Sequence, residues 1–264
     1  MLTGSISTSV QDEALRHLSL AEKLRRIPEV NWLSALDSTF LSHIWFGGWS
    51  FLQVRAWMYH LFGWIALAAA LGLILAFRRN KAARPYLATM AGLYLLFCAG
   101  ISYHVLLTFL ANGISSSAGW YLCAVTVPEI LLAVAGLKAI MPERFQPLVP
   151  GTLAAAFALL ELYAMFFVAL PYWAGLIGHR PGGPLAAFHL SQLRGLGLWG
   201  LLSRLSVNKP GFAVPATLAG FGLLYLAATA ALVAVALRPS IFSERPGGRR
   251  RLWETGHNEP SHPA

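Results

Sequence analysis

The stretch "FGGWSFLQVRAWMYHLFGWIALAAALGLILAF", residues 46–77, joins an aromatic segment with two adjacent glycines and one arginine to an unbroken apolar run. The run is long enough to cross a bilayer as a helix, because about 20 helical residues cover about 30 Å of hydrocarbon. In lipid only a helix or a closed barrel satisfies its backbone polar groups, and this run lacks the alternation of a barrel strand. The stretch therefore predicts an α-helical membrane protein.

The composition of the whole chain predicts the same class. Hydrophobic residues make up 56% of the sequence and charged residues only 12%, which is too few to surround a soluble core of ordinary proportions. Five apolar segments have the length of a span, namely 56–77, 86–109, 121–141, 153–176 and 212–237. The sequence thus predicts an all-α polytopic membrane helix bundle of about five transmembrane helices, with interfacial helices at its outer face.

Basic residues indicate the orientation, because cytoplasmic loops are enriched in lysine and arginine. They follow the first, third and fifth predicted spans: Arg78, Arg79, Lys81, Arg84, Lys138, Arg144, Arg238, Arg245, Arg249, Arg250 and Arg251. The loop "LANGISSSAG" after the second span carries no charge. We therefore expect the N-terminus outside and the C-terminus in the cytoplasm. One predicted outer loop, 179–211, departs from the rule, since it holds three arginines and a lysine but no acid.

Three parts are predicted along the chain. Residues 1–54 form an outer amphipathic, interfacial segment, and residues 55–237 form the five-span bundle, which includes an outer basic amphipathic helix over 184–206. Residues 238–264, rich in Gly, Pro and polar residues, form a disordered basic cytoplasmic tail. Since no secretory signal pattern leads the first segment outside, we expect this chain to be the back part of a longer membrane protein.

Two carboxyl groups are predicted deep inside spans. Glu129 in "VTVPEILL" and Glu161 in "LLELYAM" lie close to the midplane of their helices. Small residues such as Gly136 and Ala158 share their faces, which predicts that both side chains point into the bundle. An isolated carboxyl at that depth is expected to be neutral, because a buried charge is costly. Either the pair forms a proton or ligand site, or each carboxyl links neighbouring helices by hydrogen bonds.

A candidate lipid-phosphate site lies nearer the outer surface. His60 and His104 are roughly 6 to 8 Å below the outer boundary. Arg194 and Arg204 lie on the predicted interfacial helix, and an arginine fork suits phosphate oxygens. The alternatives are that the histidines are structural and that the arginines contact ordinary anionic headgroups. Asp37, in "LSALDSTF", is interpreted as a helix N-cap.

Two segments carry a resemblance to a known group: "STFLSHIWFGGWSFLQVRAWMY" and "SYHVLLTFLANGISSSAGWYLCAVTVPEILL". Over about residues 34–140 the chain resembles the C-terminal half of bacterial polytopic lipid-carrier-dependent (GT-C-like) glycosyltransferases, and a related membrane-protein family of unassigned function. The resemblance implies the bacterial inner (plasma) membrane and transfer of a sugar from polyprenyl phosphate on the outer face. It also implies an acidic residue that acts as the catalytic base in an earlier half, so no catalytic residue is assigned to this chain. Trp120 departs from the related pattern, which commonly has arginine there.

No other functional motif is evident. The sequence contains no P-loop, dinucleotide fingerprint, HExxH or nucleophile elbow, and Cys98 and Cys123 lie in apolar runs without metal-ligand spacing, so neither a cofactor nor a metal is predicted. The positive charge flanks the spans and does not indicate nucleic acid. The expected partners are membrane lipids, a polyprenyl-phosphate-linked sugar and a separate N-terminal membrane half. The alternative is a non-enzymatic scaffold, subunit or small transporter that uses the two glutamates.

Overall fold

The computed structural model describes residue 15 and residues 17–47, 52–180, 185–207 and 209–237. The predicted tail, 238–264, lies outside the described residues, as do Gly48 and Trp49 of the opening segment. Within the described ranges the chain is helical and forms no β-strand. The predicted all-α fold class is confirmed.

Within the described residues, short α-helices precede the first span. Helix α1 comprises Leu20–Arg25, and α2 comprises Trp32–Ile44. The side chain of Asn31 accepts the backbone N–H of Ser34 at 3.1 Å and caps α2. The interpretation of Asp37 as an N-cap is therefore wrong, because α2 already begins at Trp32 and Asp37 lies exposed in its middle.

The part of the chain that the structure describes contains five segments long and apolar enough to cross a membrane. The first two are α3, Ala56–Arg79, and α4, Arg84–Asn112. The third combines a 3₁₀ segment, Gly119–Val125, with α5, Thr126–Ile140. The fourth runs through the 3₁₀ turn Glu143–Leu148, α6 (Val149–Ala164), a π-helical segment (Met165–Ala169) and α7 (Leu170–Trp173). A connection containing α8, Gly197–Ser206, leads to the fifth, α9, Pro215–Leu237.

Local chemistry ends the first two spans. Arg84 donates to the carbonyl of Phe77 at 2.5 Å and to that of Arg78 at 3.1 Å, so it satisfies carbonyl groups that the end of α3 leaves unpaired. Helix α4 ends at Gly113, whose φ of 71° is the left-handed conformation that glycine adopts without strain. Because these connections are short, α3 begins and α4 ends on the same side of the bundle.

Helices α3 and α5 cross at two glycines. A Cβ atom added to Gly72 would overlap the carbonyl of Gly136, and one added to Gly136 would overlap the carbonyl of Ala69. Close backbone approach at small residues is how membrane helices gain packing contacts, since lipid offers no hydrophobic drive between them. Helix α5 also packs against α4, so it lies between α3 and α4 at the centre of the bundle.

The fourth span packs antiparallel to α9 and changes its helical pitch near one end. A Cβ atom on Gly151 would lie 2.6 Å from the carbonyl oxygen of Ala236, which places the start of α6 beside the end of α9. In the π-helical segment the N–H of Leu170 bonds to the carbonyl of Met165, five residues earlier. Pro171 follows directly and has no N–H to continue the α-helical ladder.

The predicted helix over 184–206 is shorter in the structure. Residues 185–189 form no helix, Leu190–Leu193 form a 3₁₀ turn, and α8 starts only at Gly197. Gly197 has a φ of 66°, which a continuous right-handed helix does not allow. The glycines in "RGLG" therefore divide the predicted helix into two pieces.

Helix α2 lies across the side of the bundle where α3 begins, which we call the α2 end. Its Ala35 packs with Val105 and Leu106 of α4. Its Phe40 ring lies 3.6 Å from the position of a Cβ on Gly63 of α3. The backbone of Gly119 is packed so closely against α2 that a side chain there would overlap it. Helix α2 thus contacts the first three spans at once.

Candidate functional site

Glu129 lies in the first turn of α5 and pairs with His43 of α2. The Nε2 atom of His43 is 2.9 Å from each carboxylate oxygen. The side chains of His43 and Glu129 are 17% and 29% exposed, so water screens the pair only in part. The hydrogen bond to Glu129 raises the pKa of His43 above its usual 6.5, against the opposing effect of burial. Glu129 is therefore a partnered carboxyl at the interface between α2 and the third span.

Helix α4 contributes two further polar groups beside this pair. The hydroxyl of Tyr94 and the thiol of Cys98 lie within the electrostatic influence of Glu129. Among the described residues no lysine or arginine lies within ion-pair distance of Glu129. His43 is thus the basic partner of this carboxylate at the meeting point of α2, α4 and α5.

Glu161, in the middle of the fourth span, is also engaged by the chain that follows α2. The indole Nε1 of Trp45 donates to its Oε2 at 3.0 Å. The hydroxyl of Tyr225 on α9 faces the same carboxyl but is buried without a hydrogen bond of good geometry to any described residue. The two glutamates therefore do not meet each other, and each contacts a residue at the end of α2.

A row of hydrogen bonds fastens α2 to the loop between α4 and the third span. The backbone N–H of Asn31 donates to the Ser115 hydroxyl at 3.0 Å. The hydroxyls of Ser38 and Ser42 accept the backbone N–H groups of Ser117 at 3.4 Å and Gly119 at 2.6 Å. These bonds satisfy backbone donors that would otherwise be left unpaired beside α2.

A cavity of about 380 Å³ opens at the α2 end between the start of α3 and the fourth span. Its wall includes Arg55, Tyr163 and His179. The remaining lining residues are Gln53, Val54, Ala56, Phe167, Val168, Leu185, Ala186, Ala187 and Phe188. A volume of this size is in the range of small-ligand sites, and the lining includes both polar and apolar side chains.

Arg55 is held at the rim of this cavity. Its Nε donates to the hydroxyl of Tyr163 at 3.0 Å, and Tyr163 stacks on Phe167 with ring centroids 5.4 Å apart. Arg55 is exposed and immediately precedes α3, so the positive end of the helix dipole adds to its charge. The described residues include no carboxylate paired with this guanidinium. The cavity can therefore receive an anionic group.

The wall that carries Arg55 is tied to the end of α2. The hydroxyl of Tyr59 donates to the carbonyl of Trp45 at 3.0 Å and accepts the N–H of Val54 at 3.3 Å. Leu52 is fully buried against Val168 and Ala169 of the π-helical segment. The segment between α2 and α3 is thus anchored on both sides where the structure describes it.

The four residues predicted to bind a lipid phosphate are dispersed. His60 is exposed on α3, His104 is exposed on α4, and Arg194 and Arg204 are exposed in and near α8. No hydrogen bond, ion pair or ring contact joins any two of them in the described part of the chain. Helix α5 separates the two histidines, because it lies between α3 and α4.

His104 borders a second, mostly apolar groove of about 710 Å³ between α4 and the third span. Its ring meets Tyr121 edge-on with centroids 5.6 Å apart. Gly100 widens the groove, since a Cβ atom there would contact nothing within 4 Å. This groove shares no lining residue with the Arg55 cavity, so His104 and Arg55 belong to different openings of the bundle.

Sequence reasoning did not select Arg55, Tyr163, His179 or His43 as site residues. The position of Arg55 in the sequence could have indicated a site residue. A charged residue immediately before an apolar helix of about 20 residues stays at the membrane boundary. His43 follows Ser38 and Ser42 on a polar face of α2, which could have indicated a docking surface. Tyr163 and His179 become neighbours of Arg55 only through the packing of the fourth span.

In the described ranges no group of three His, Cys, Asp or Glu side chains is arranged to hold a metal ion. No protein-family model, curated protein or solved structure matches the chain. The five apolar segments and their packing establish an all-α, multi-pass integral membrane protein.

Proposed function

We propose that this protein binds a polyprenyl-phosphate-linked sugar at the α2 end of the bundle, as the C-terminal module of a lipid-carrier-dependent glycosyltransferase. The observation that carries the proposal is the cavity beside Arg55, where one guanidinium and several aromatic side chains share an opening. A phosphate attached to a long isoprenoid would enter such an opening sideways, from the lipid around α3 and the fourth span.

Arg55 provides the donors for phosphate. Its Nε bonds to Tyr163, which fixes the plane of the guanidinium and leaves the two terminal nitrogens for a ligand. A planar fork of N–H groups can hold two phosphate oxygens at once. The start of α3 adds the favourable field of a helix N-terminus.

The aromatic wall provides the apolar contacts. Tyr163 stacks on Phe167, and Phe167 meets Phe188 with ring centroids 6.2 Å apart. Flat aromatic faces of this kind suit the first isoprene unit of a carrier or the face of a sugar ring. Arg194 and Arg204 lie in the same connection as Phe188 and are proposed to attract the anionic carrier towards the cavity.

In this proposal the chain binds the carrier and does not by itself perform the transfer. The acidic residue that acts as catalytic base would come from a separate N-terminal membrane half, as the resemblance to GT-C-like enzymes implies. The bacterial inner membrane and an outward-facing α2 end belong to the same proposal.

The test is competition between polyprenyl phosphate and phosphatidylglycerol for the purified protein in detergent. We expect a preference for polyprenyl phosphate that falls about ten- to a hundredfold in Arg55→Gln, because a charge-assisted hydrogen bond contributes about 1.5 to 3 kcal/mol. Arg194→Gln and Arg204→Gln test the proposed attraction of the carrier, and each should reduce the preference less than Arg55→Gln, because neither residue lines the cavity. Equal binding of the two lipids, unchanged by Arg55→Gln, would exclude the proposed site.

A non-enzymatic scaffold or subunit is the second candidate. It is favoured because both mid-span glutamates contact residues at the end of α2. A carboxyl that holds α2 in place is available neither to a substrate nor to a transport pathway. If the wild-type protein shows no preference for polyprenyl phosphate in the competition experiment, the scaffold or subunit is the better interpretation.

A further inference from the structure

Two residues at the end of α2 reach into the bundle and meet the carboxyls of two different spans. His43 contacts Glu129 of α5, and Trp45, two positions later, contacts Glu161 of α6. The Trp45 bond involves a donor that keeps its proton at any ordinary pH. The His43 contact is different, because an imidazole gains and loses a proton near neutrality.

We propose that the His43–Glu129 pair is a proton-binding site that holds the C-terminal end of α2 docked on the bundle, and that loss of this proton loosens α2. The proposal rests on the position of the pair at the interface between α2 and the third span. It does not depend on any ligand of the Arg55 cavity.

The carboxylate favours the charged form of His43. Nε2 lies 2.9 Å from both carboxylate oxygens, and a carboxylate this close stabilises an imidazolium more than a neutral imidazole. Glu129 lies in the first turn of α5, where the helix dipole stabilises a negative charge. When His43 is neutral, the carboxylate keeps its desolvation cost and loses its cation.

The other titratable groups around His43 do not replace that cation. Helix α4 presents Tyr94 and Cys98, which carry no positive charge. Helix α3 presents the Tyr59 hydroxyl, which bonds to the carbonyl of Trp45, and α6 presents Glu161, which is bonded to the Trp45 indole. Among these groups in the described ranges, His43 is the one whose free side chain gains and loses a proton near neutrality.

The direction of the pH dependence follows from the partner. Glu129 raises the pKa of docked His43 above the 6.5 of a free histidine. A group whose pKa is raised in the docked state contributes its full stabilisation below its free pKa and loses it as the pH rises through the docked value. We therefore expect α2 to be held at mildly acidic and neutral pH and to loosen at alkaline pH.

The experiment measures the distance between nitroxide labels at Leu36→Cys on α2 and Arg78→Cys at the far end of α3. Both positions are exposed, and Cys98→Ser and Cys123→Ser remove the native thiols. Double electron–electron resonance in nanodiscs of uncharged lipid is recorded from about pH 5.5 to about pH 9.5, a range that brackets the titration of a histidine. We expect one narrow distance distribution at low pH. A second population should appear as the pH rises, with a midpoint above the pKa of a free histidine, because the equilibrium constant for docking of α2 falls about tenfold.

Three variants identify the group responsible. His43→Gln and Glu129→Gln should each give a distance distribution that no longer changes with pH. His104→Gln is the matched control, because His104 is an exposed histidine on α4 that faces Tyr121, and it should keep the wild-type response. An unchanged wild-type distance over the whole range would overturn the proposal even if the His43 variant does not fold. A pH response that persists in His43→Gln would overturn it as well.

Discussion

The indole of Trp45 donates a hydrogen bond to Glu161 at 3.0 Å, although the two residues are 116 positions apart. Glu161 lies in the middle of the fourth span, and Trp45 directly follows α2. The bond therefore links the end of α2 to the interior of the bundle. Because a carboxyl within a span has few other donors, Trp45 determines whether this group is satisfied or left with its desolvation cost.

We expect Trp45→Phe to lower the free energy of unfolding by about 1 to 3 kcal/mol, because it keeps most of the ring packing but leaves Glu161 without its donor. Glu161→Gln should cost less, since the amide oxygen still accepts the indole N–H. Thermal unfolding in detergent measures both effects. Trp57→Phe is the control, because Trp57 is 60% exposed on α3. Equal effects of Trp45→Phe and Trp57→Phe would show that the bond to Glu161 contributes nothing.

The crossing of α3 and α5 makes a second prediction, based on one added methyl group. Gly136→Ala places a Cβ atom against the carbonyl of Ala69, so the helices must move apart at a cost of about 1 to 3 kcal/mol. Gly92→Ala adds the same methyl to α4, where nothing lies within 4 Å, and should be neutral or stabilise by about 0.5 to 1 kcal/mol. Denaturation in detergent compares the two variants. A Gly136→Ala protein as stable as Gly92→Ala would mean that the close crossing does not support the fold.

The spans could be predicted from the sequence because their lengths are set by a local quantity, the thickness of the hydrocarbon. The predicted first span, 56–77, and the observed helix, Ala56–Arg79, differ only at the C-terminal end. At that end the side chain of Arg84 donates a hydrogen bond to the carbonyl of Phe77. Small residues also indicated a helix contact at Gly136, since close approach depends on side-chain size along one face.

The partners of the two glutamates could not be predicted in the same way. His43 and Trp45 come from a helix 86 and 116 positions earlier, and nothing in the local pattern of the spans specifies how α2 lies across them. The lipid-phosphate prediction placed His60 and His104 at a similar depth but could not know that α5 lies between their helices. Depth follows from counting residues along a helix, whereas proximity depends on the order and rotation of the helices.

A third prediction concerns the serines of α2. Ser42→Ala removes the acceptor of the Gly119 N–H, which then lies unpaired beside α2, so we expect a loss of about 1 to 3 kcal/mol. The segment 115–119 should also exchange its amide hydrogens faster. Thr108→Ala is the control, because its hydroxyl bonds only to the carbonyl of His104 within the same exposed helix face and should change stability by less than about 0.5 kcal/mol. Unchanged exchange at Gly119 in Ser42→Ala would argue that water or another group replaces the hydroxyl.

The last prediction is the orientation of the bundle. The connection at residue 80 is flanked by Arg78, Arg79, Lys81 and Arg84, whereas residues 113–118, at the α2 end, carry no charge. Retention of basic loops in the cytoplasm then places the α2 end and the Arg55 cavity outside. The connection between the fourth span and α9 also lies at the α2 end, and it carries several cations. Its charge favours the opposite orientation.

Labelling of intact cells with a membrane-impermeant maleimide decides whether the α2 end lies outside or in the cytoplasm. Cys98 and Cys123 are first replaced by serine. Ser116→Cys should react directly, and Asn80→Cys should react only after the membrane is permeabilised. Val207→Cys, exposed just after α8, reports on the basic connection and should behave like Ser116→Cys. The reverse pattern, with Asn80→Cys labelled in intact cells and the other two protected, would turn the bundle over and place the Arg55 cavity on the cytoplasmic side.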